Sequence, residues 1–414
     1  MARLFTPTPD LATLLHLLLD GYERRGGAPR RAVRVRLDDV ADQLGGYYSQ
    51  TDPEPRVTTN GQLQELERHG FLTLAWLPGQ KHHLLESVDL TTEGIESLYA
   101  LVEREPLAEQ ERRLHALLAG NRFRFDDWRR RAIDRTLRQI EGHKSPAPFD
   151  LEDEGWNQDL LAALTALPSD AREALPYRVF SVRVFNDSKR FDALKGAVAR
   201  LARRHHPAWR ALTYREVLRE LGLVPNPDHV FLYGPWCLVD PLGQVASLAE
   251  FHPSVGIPAT LAAQVERVMV DGGCVVCVEN LTPFYTLVQQ QGQGLAALCL
   301  WGNPSPAVRH LLCTLVDGLS LEVPLLLWAD VDYGGLSILA QLREQVSPRF
   351  MPYRMDCATL DAHAHWAQPL TASDERNLSR LRQRSSLSDV VPLIEYMLLK
   401  GVKLEQEAVE IPAK

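Results

Sequence analysis

The chain has 414 residues, 45% hydrophobic and 24% charged, too long for one ordinary core and expected to fold as two to four domains. No apolar run approaches the roughly 18 residues of a membrane span, and Met1-Ala-Arg-Leu-Phe leads into Thr-Pro-Thr-Pro rather than a secretory signal, so a cytoplasmic protein with no membrane contact is expected. The net charge of −8 argues on average against a nucleic-acid partner, because phosphate binding calls for Lys and Arg.

In chain order, Leu11, Leu14, Leu15, Leu18 and Leu19 at helical spacing after Thr-Pro-Asp predict an amphipathic helix over 10–25. A shorter helix follows around 37–44, and then one from about Thr59 to His69, opened by Thr58-Thr59-Asn60. Leu72–Trp76, the Pro78-Gly79-Gln80-Lys81 turn and His83–Val88 read as a strand, a tight connection and a strand. Helices ending in a β-hairpin describe a winged helix over 1–100, a fold used both for DNA contact and for protein docking. Residues 101–150 read as a charged helical arm with Arg129-Arg130-Arg131, ending at the Ser145-Pro-Ala-Pro148 break and an acidic linker, Asp150–Glu154.

Between Arg172 and Arg215 the average charge is reversed, with eleven Lys and Arg against three acids. A surplus of that size in an acidic protein is the footprint of a polyanion. Tyr177–Phe185 alternates and reads as a strand; a basic helix and a second strand at His229–Tyr233 follow. Strand, basic helix and strand suit a small DNA-binding domain over 151–252, with Arg183, Lys189, Arg190, Arg203 and Arg204 as candidate phosphate contacts.

From 253 to 414 strands and helices alternate: 274–279, 295–301, 325–330 and Phe350–Met355 are strands, each followed by a helical pattern. Four such repeats predict a parallel sheet. Buried parallel strands deliver their last residues to the sheet's C-terminal edge, where α/β folds place their chemistry. Two of these strands end in acids, Glu279-Asn280 and Asp330-Val-Asp332-Tyr-Gly334-Gly335. Asp330 and Asp332, two apart, leave an extended strand on one face, where Glu279 from a neighbouring strand can join them. Three carboxylates that close repel unless a divalent cation lies among them. Asn280 and Asp356 are supporting polar residues at strand ends; Gly334 and Gly335 would admit a close backbone approach. The six cysteines are scattered in apolar runs and read as reduced core thiols. Cys274 and Cys277, three apart on a strand, point to opposite faces.

Glu-Asn after one apolar strand and Asp-x-Asp-x-Gly-Gly after another resemble the Toprim domain of topoisomerases, primases and several nucleases. More narrowly, Phe185-Asn-Asp-Ser-Lys189-Arg190, Val278-Glu-Asn-Leu-Thr282-Pro-Phe284, Leu300-Trp-Gly302, Trp328-Ala-Asp-Val-Asp332-Tyr-Gly334 and Met355-Asp356 resemble the JetD family, nuclease subunits of Wadjet plasmid-defence systems with a core similar to the topoisomerase VI A subunit. The resemblance covers about 155–370. It implies a multidomain α/β plus α+β protein, with a CAP-like (winged-helix) domain over 151–252 and a C-terminal Toprim domain, Rossmann-like in its parallel sheet. It further implies one or two Mg²⁺ or Mn²⁺ ions on Glu279, Asp330 and Asp332, hydrolysis of double-stranded plasmid DNA, and an SMC-type ATPase complex as partner. A cut through both strands needs two sites, hence an expected homodimer. Two rivals stand beside this reading. One is a topoisomerase-type tyrosine transesterase, for which Tyr47, Tyr48, Tyr177, Tyr214 and Tyr233 are candidates although none lies in a matching motif. The other is a non-catalytic DNA-binding regulatory protein.

Overall fold

The computed structural model describes residues 5–26, 32–172, 174–290 and 294–410. The chain forms two compact units, residues 1–157 and 158–414, built as a mixture of helices and several sheets.

In the first unit α1 (Pro9–Glu23) starts on Thr8, whose hydroxyl accepts from Leu11 N at 3.3 Å, and buries Leu11, Leu14, Leu15, Leu18 and Leu19 completely. The strand β1 (Val33–Arg36), a 3₁₀ turn over Leu37–Gln43, α2 (Glu54–Arg68), β2 (Leu72–Trp76) and β3 (Leu85–Leu90) complete a three-stranded antiparallel sheet in the order β1-β3-β2. The strand at 33–36 has no counterpart in the sequence reading: four residues, Val-Arg-Val-Arg, are too short a period-2 signal. Buried Tyr47 locks this unit. Its hydroxyl donates to Asn60 Oδ1 at 3.0 Å and accepts from Leu85 N at 3.1 Å, while Asn60 Nδ2 donates to the carbonyls of His82 and His83. Beyond the sheet come α3 (Ile95–Leu101), α4 (Leu107–Asn121) and α5 (Trp128–Glu141). α6 (Glu154–Thr165) spans the junction.

The second unit begins with a helical layer: β4 (Leu175–Pro176), α7 (Tyr177–Phe185), α8 (Arg190–His205), α9 (Tyr214–Glu220) and β5 (Leu223–Val224), the two short strands pairing in parallel. Here the sequence reading is corrected. Tyr177–Phe185 is a helix, because Tyr177 and Phe180, three apart and on one helical face, both pack on Phe191 of α8, at 5.7 and 4.7 Å between ring centres. The Ser181 hydroxyl, which donates to Asp187 O and accepts from Phe191 N, joins the two helices. Tertiary contact outweighs the strand preference of Val and Phe.

β6 (His229–Tyr233), expected in the small basic domain, joins the large sheet instead. With β7 (Trp236–Val239), β8 (Val245–Ser247), β9 (Val255–Pro258), α10 (Ala259–Ala262), β10 (Arg267–Val270), β11 (Cys274–Val278), α11 (Leu281–Gln290), β12 (Leu295–Cys299), α12 (Pro306–Gly318), β13 (Leu325–Trp328), α13 (Tyr333–Gln345), β14 (Phe350–Pro352) and α14 (Cys357–Ala362), the chain builds a six-stranded sheet ordered β14-β13-β11-β12-β6-β9 and a three-stranded sheet ordered β10-β7-β8. Strands β11 to β14 run parallel as expected, but β6 lies antiparallel to β12 and β9 antiparallel to β6, so the sheet is mixed. The two inner strands β11 and β12 are almost wholly apolar and buried, Cys-Val-Val-Cys-Val and Leu-Ala-Ala-Leu-Cys, which is what helices on both faces require. All six cysteines are free thiols. A last segment, β15 (Gln368–Pro369), α15 (Ala372–Leu381), α16 (Val391–Lys400) and β16 (Val402–Lys403), returns the chain to the C-terminal edge of β13 through an isolated bridge between Val331 and Leu404.

Candidate metal centre

β11 and β13 are parallel neighbours, with Val278 opposite Trp328, so the residues that follow each emerge side by side. Glu279 N donates to Trp328 O at 3.0 Å, and its carboxylate accepts from Asp330 N at 3.1 Å. Asn280 Nδ2 reaches Asp330 Oδ1 at 3.5 Å. The structure therefore brings Glu279, Asn280 and Asp330 into direct contact, and the charge of Asp332 is felt at both carboxyls.

Asp332 has a second duty: its Oδ1 accepts from Gly335 N at 2.8 Å and caps α13. Gly335 serves the fold rather than an approaching ligand. A Cβ there would stand 2.1 Å from Asp330 O, so only glycine lets α13 start this close to the strand end. At Gly334 the nearest atom to such a Cβ is Asp332 Oδ1, at 3.2 Å. Asp356 caps α14, accepting from Thr359 N at 2.7 Å.

Three residues absent from the sequence reading complete the edge. The Val331–Leu404 bridge brings in Glu405, Gln406 and Glu407. Buried Gln406 donates its main-chain N–H to Asp330 Oδ1 at 2.7 Å, donates Nε2 to Trp328 O at 2.8 Å and accepts from Asn280 N at 3.2 Å. Glu405 and Glu407 flank it, exposed, and each offers an oxygen within 4.8 Å of Asp330 and of the other. Their signal in the sequence, Val-Lys-Leu followed by Glu-Gln-Glu, repeats the rule of a strand ending in acids, but on a strand of two residues.

The electrostatics follow from burial. Desolvation pushes the Glu279 carboxyl up to about 8, with the Asp330 charge adding to it and the Asp330 N–H opposing it. Asp330 is raised to about 7, again first by burial, helped by Asp332, Glu405 and Glu407 and opposed by the Gln406 N–H. Oxygen donors alone, from several carboxylates at once, suit a hard divalent cation such as Mg²⁺ or Mn²⁺ and not a thiolate-loving metal.

The basic candidates divide. Arg183 on α7, Lys189 ahead of α8 and Arg204 on α8 are exposed. Arg190 pairs with Asp159 of α6 at 2.5 Å, and Arg203 donates to Arg210 O at 3.2 Å with its guanidinium 5.6 Å from the Tyr214 ring centre. These two hold the helical layer together.

Residues 232–413 match the family model described as Wadjet protein JetD, C-terminal, a span that holds every acid of this edge. Over 404 residues the chain is 23% identical to the Wadjet protein JetD of Bacillus cereus (strain Q1), covering 96% of this chain and 97% of that one. JetD is thus what this chain is similar to along nearly its whole length. Among the described residues no helix is long and apolar enough to cross a membrane.

Proposed function

We propose that this JetD-like chain is the DNA-cutting subunit of a Wadjet-type plasmid-defence system: a divalent-metal-dependent endonuclease that hydrolyses double-stranded DNA. The observation that carries the reading is the meeting of Glu279 and Asp330 at adjoining parallel strand ends, joined by a hydrogen bond, with Glu405 and Glu407 within 4.8 Å of Asp330. Such a cluster is costly without a cation. Glu279, Asp330 and Asp332, supplemented by Glu405 and Glu407, would hold one or two Mg²⁺ or Mn²⁺ ions, which when bound stabilise charge on the phosphoryl oxygens and lower the pKa of bound water. The chain's own part is placement. Gln406 fixes the Asp330 carboxylate from one side, Asn280 from the other, and the Asp330 amide holds Glu279.

On this reading residues 253–414, together with strands β6 to β8 that share their sheets, form a Toprim-like catalytic domain, the helical layer of 151–252 a CAP-like DNA-binding domain offering Arg183, Lys189 and Arg204 to phosphates, 101–150 a helical arm, and 1–100 a winged helix. The order helix, strand, turn, helix, hairpin in the first unit supports the last of these. A homodimer supplies the two cuts, and an SMC-type ATPase complex in the cytoplasm is the partner. The tyrosine route draws little support from Tyr47, whose buried hydroxyl is already bonded to Asn60 and Leu85.

The test is incubation of the full chain with supercoiled plasmid and Mg²⁺ or Mn²⁺, alone and with its partner ATPase complex. Nicking or linearisation by the wild type and not by Asp330→Ala, with no protein left covalently on DNA, is the expected result. Absence of cutting under every metal, partners included, overturns it in favour of a binding protein, and a covalent adduct lost on replacing one tyrosine by Phe overturns it in favour of transesterification.

A further inference from the structure

The Leu300-Trp301-Gly302 turn at the end of β12 has no part in the acidic centre, yet it lies against it. Leu300 N donates to Val278 O at 2.8 Å and Gly302 N to Glu279 O at 3.0 Å. Both neighbours of Trp301 are thus tied to the end of β11, and Trp301 between them is forced to φ +54°, a left-handed conformation that is an outlier for so bulky a residue. Strain of this kind persists where the surroundings over-determine it, and it clusters at sites that work on ligands. The indole is 46% exposed at this edge.

Trp301 forms one wall of a cavity of about 240 Å³, just under the roughly 300–1,000 Å³ of pockets for drug-sized ligands. Phe231 of β6 lines it too, its ring centre 5.8 Å from that of Trp301 and tilted by 51°. Arg215 and Arg219 of α9, with Asp228 and His229, supply the polar side. Arg219 faces Asp228 at 3.7 Å and donates to Asn303 O at 3.2 Å, and Asn303 in turn donates to Glu216 of α9. The turn carrying Trp301 is therefore fastened to the helix that faces it, so the pocket is preformed. Arg215 is exposed and has no acidic partner among the described residues. Flat aromatic walls with an uncommitted guanidinium at the mouth match the two halves of a nucleotide, a base to stack and a phosphate to neutralise.

We propose that this pocket receives a nucleobase displaced from the duplex beside the phosphate to be cut, stacking it on the exposed Trp301 face with Phe231 closing one side, while Arg215 takes the adjoining phosphate. The backbone link from Gly302 to Glu279 sets the pocket next to the acidic centre, so the base and the scissile phosphate belong to neighbouring positions of one strand. The choice of a DNA strand as the source of the base rests on the nuclease reading; the stacking site itself does not.

The experiment uses the full chain in Ca²⁺ or EDTA and three probes: a fully paired duplex, the same duplex with one unpaired central base, and dAMP. The wild type is expected to bind the duplex with the unpaired base more tightly than the paired one. Trp301→Ala is expected to erase that preference, binding this probe about tenfold or more weakly, and Trp301→Phe to restore much of it. Arg215→Ala, at an exposed position that leaves the fold intact, should lower the slope of log affinity against log salt by about one phosphate contact. Equal binding of all probes by wild type and Trp301→Ala overturns the proposal. Trp301-dependent binding of dAMP with no gain from the unpaired base overturns the DNA strand as its source. Asp330→Ala separates the two readings: loss of cutting with the base preference retained supports both. Preference retained in a wild type that cuts nothing leaves the pocket standing and removes the nuclease.

Discussion

Glu279 is the group whose replacement should be read most directly in stability. Its carboxyl is raised from 4.5 to about 8 in the fold, first because it is buried and then because Asp330 lies beside it. The folded chain therefore holds this proton more tightly than the unfolded chain does. The sign follows: the stability it contributes is fully present below about pH 4.5 and is lost as pH rises through about 8. Where the unfolded side chain is ionised and the folded one is not, the loss runs at about 1.4 kcal/mol per pH unit. Between pH 5 and 8, with the slope flattening near both pKa values, that amounts to about 3–4 kcal/mol, which for a unit of this size corresponds to roughly 6–16 °C in Tm. Glu279→Gln cannot titrate and keeps an oxygen for the Asp330 N–H. In excess EDTA the variant should thus become progressively more stable than the wild type as pH is raised from 5 to 8. Asp330 titrates in both proteins, so the difference between the two calorimetric Tm curves reports residue 279 together with its coupling to Asp330. Added Mn²⁺ should reverse the wild-type trend near pH 8, because the cation takes the deprotonated carboxylates, and should do far less for the variant. Parallel curves, with a difference that stays flat across this range, would refute the burial argument and with it the picture of a pre-strained acidic site.

Three further outcomes are expected. Gly335→Ala should destabilise the unit 158–414 by several kcal/mol, since its Cβ would stand 2.1 Å from Asp330 O and backbone has to move; thermal melting reads it, and an unchanged Tm contradicts the close approach. Tyr47→Phe leaves Leu85 N and Asn60 without their buried partner and should cost about 1–3 kcal/mol, measured by urea denaturation. Lys189→Ala, at an exposed position, should reduce the salt slope of DNA binding by about 1, whereas Arg190→Ala should also lower the Tm, because it breaks the contact with Asp159.

What was legible in the sequence is what a long or buried period writes there. The five leucines of α1 and the unbroken apolar runs of β11 and β13 each carry their own signal, and the acids that end those two strands could be paired because parallel neighbours finish at one edge. Tyr177–Phe185 shows the limit. Its alternation is real, but Phe191 and Ser181 decide in favour of a helix through the packing of two successive helices, which a count of apolar periodicity does not register. His229–Tyr233 was legible as a strand and not as a neighbour of β12, since antiparallel pairing across more than sixty residues leaves no mark on either segment. The same reasoning explains why Glu405, Gln406 and Glu407 escaped notice. They reach Asp330 only because one backbone bridge, Val331 with Leu404, holds a two-residue strand against the end of β13. The acidic edge is thus assembled from two strong local signals and one long-range closure. The closure carries the residue, Gln406, that touches Asn280, Trp328 and Asp330 at once. A site built this way needs the chain's last helices folded in place before Asp330 is fixed, so loss of the segment after Lys400 should free the Asp330 carboxylate even with every strand of the sheet intact.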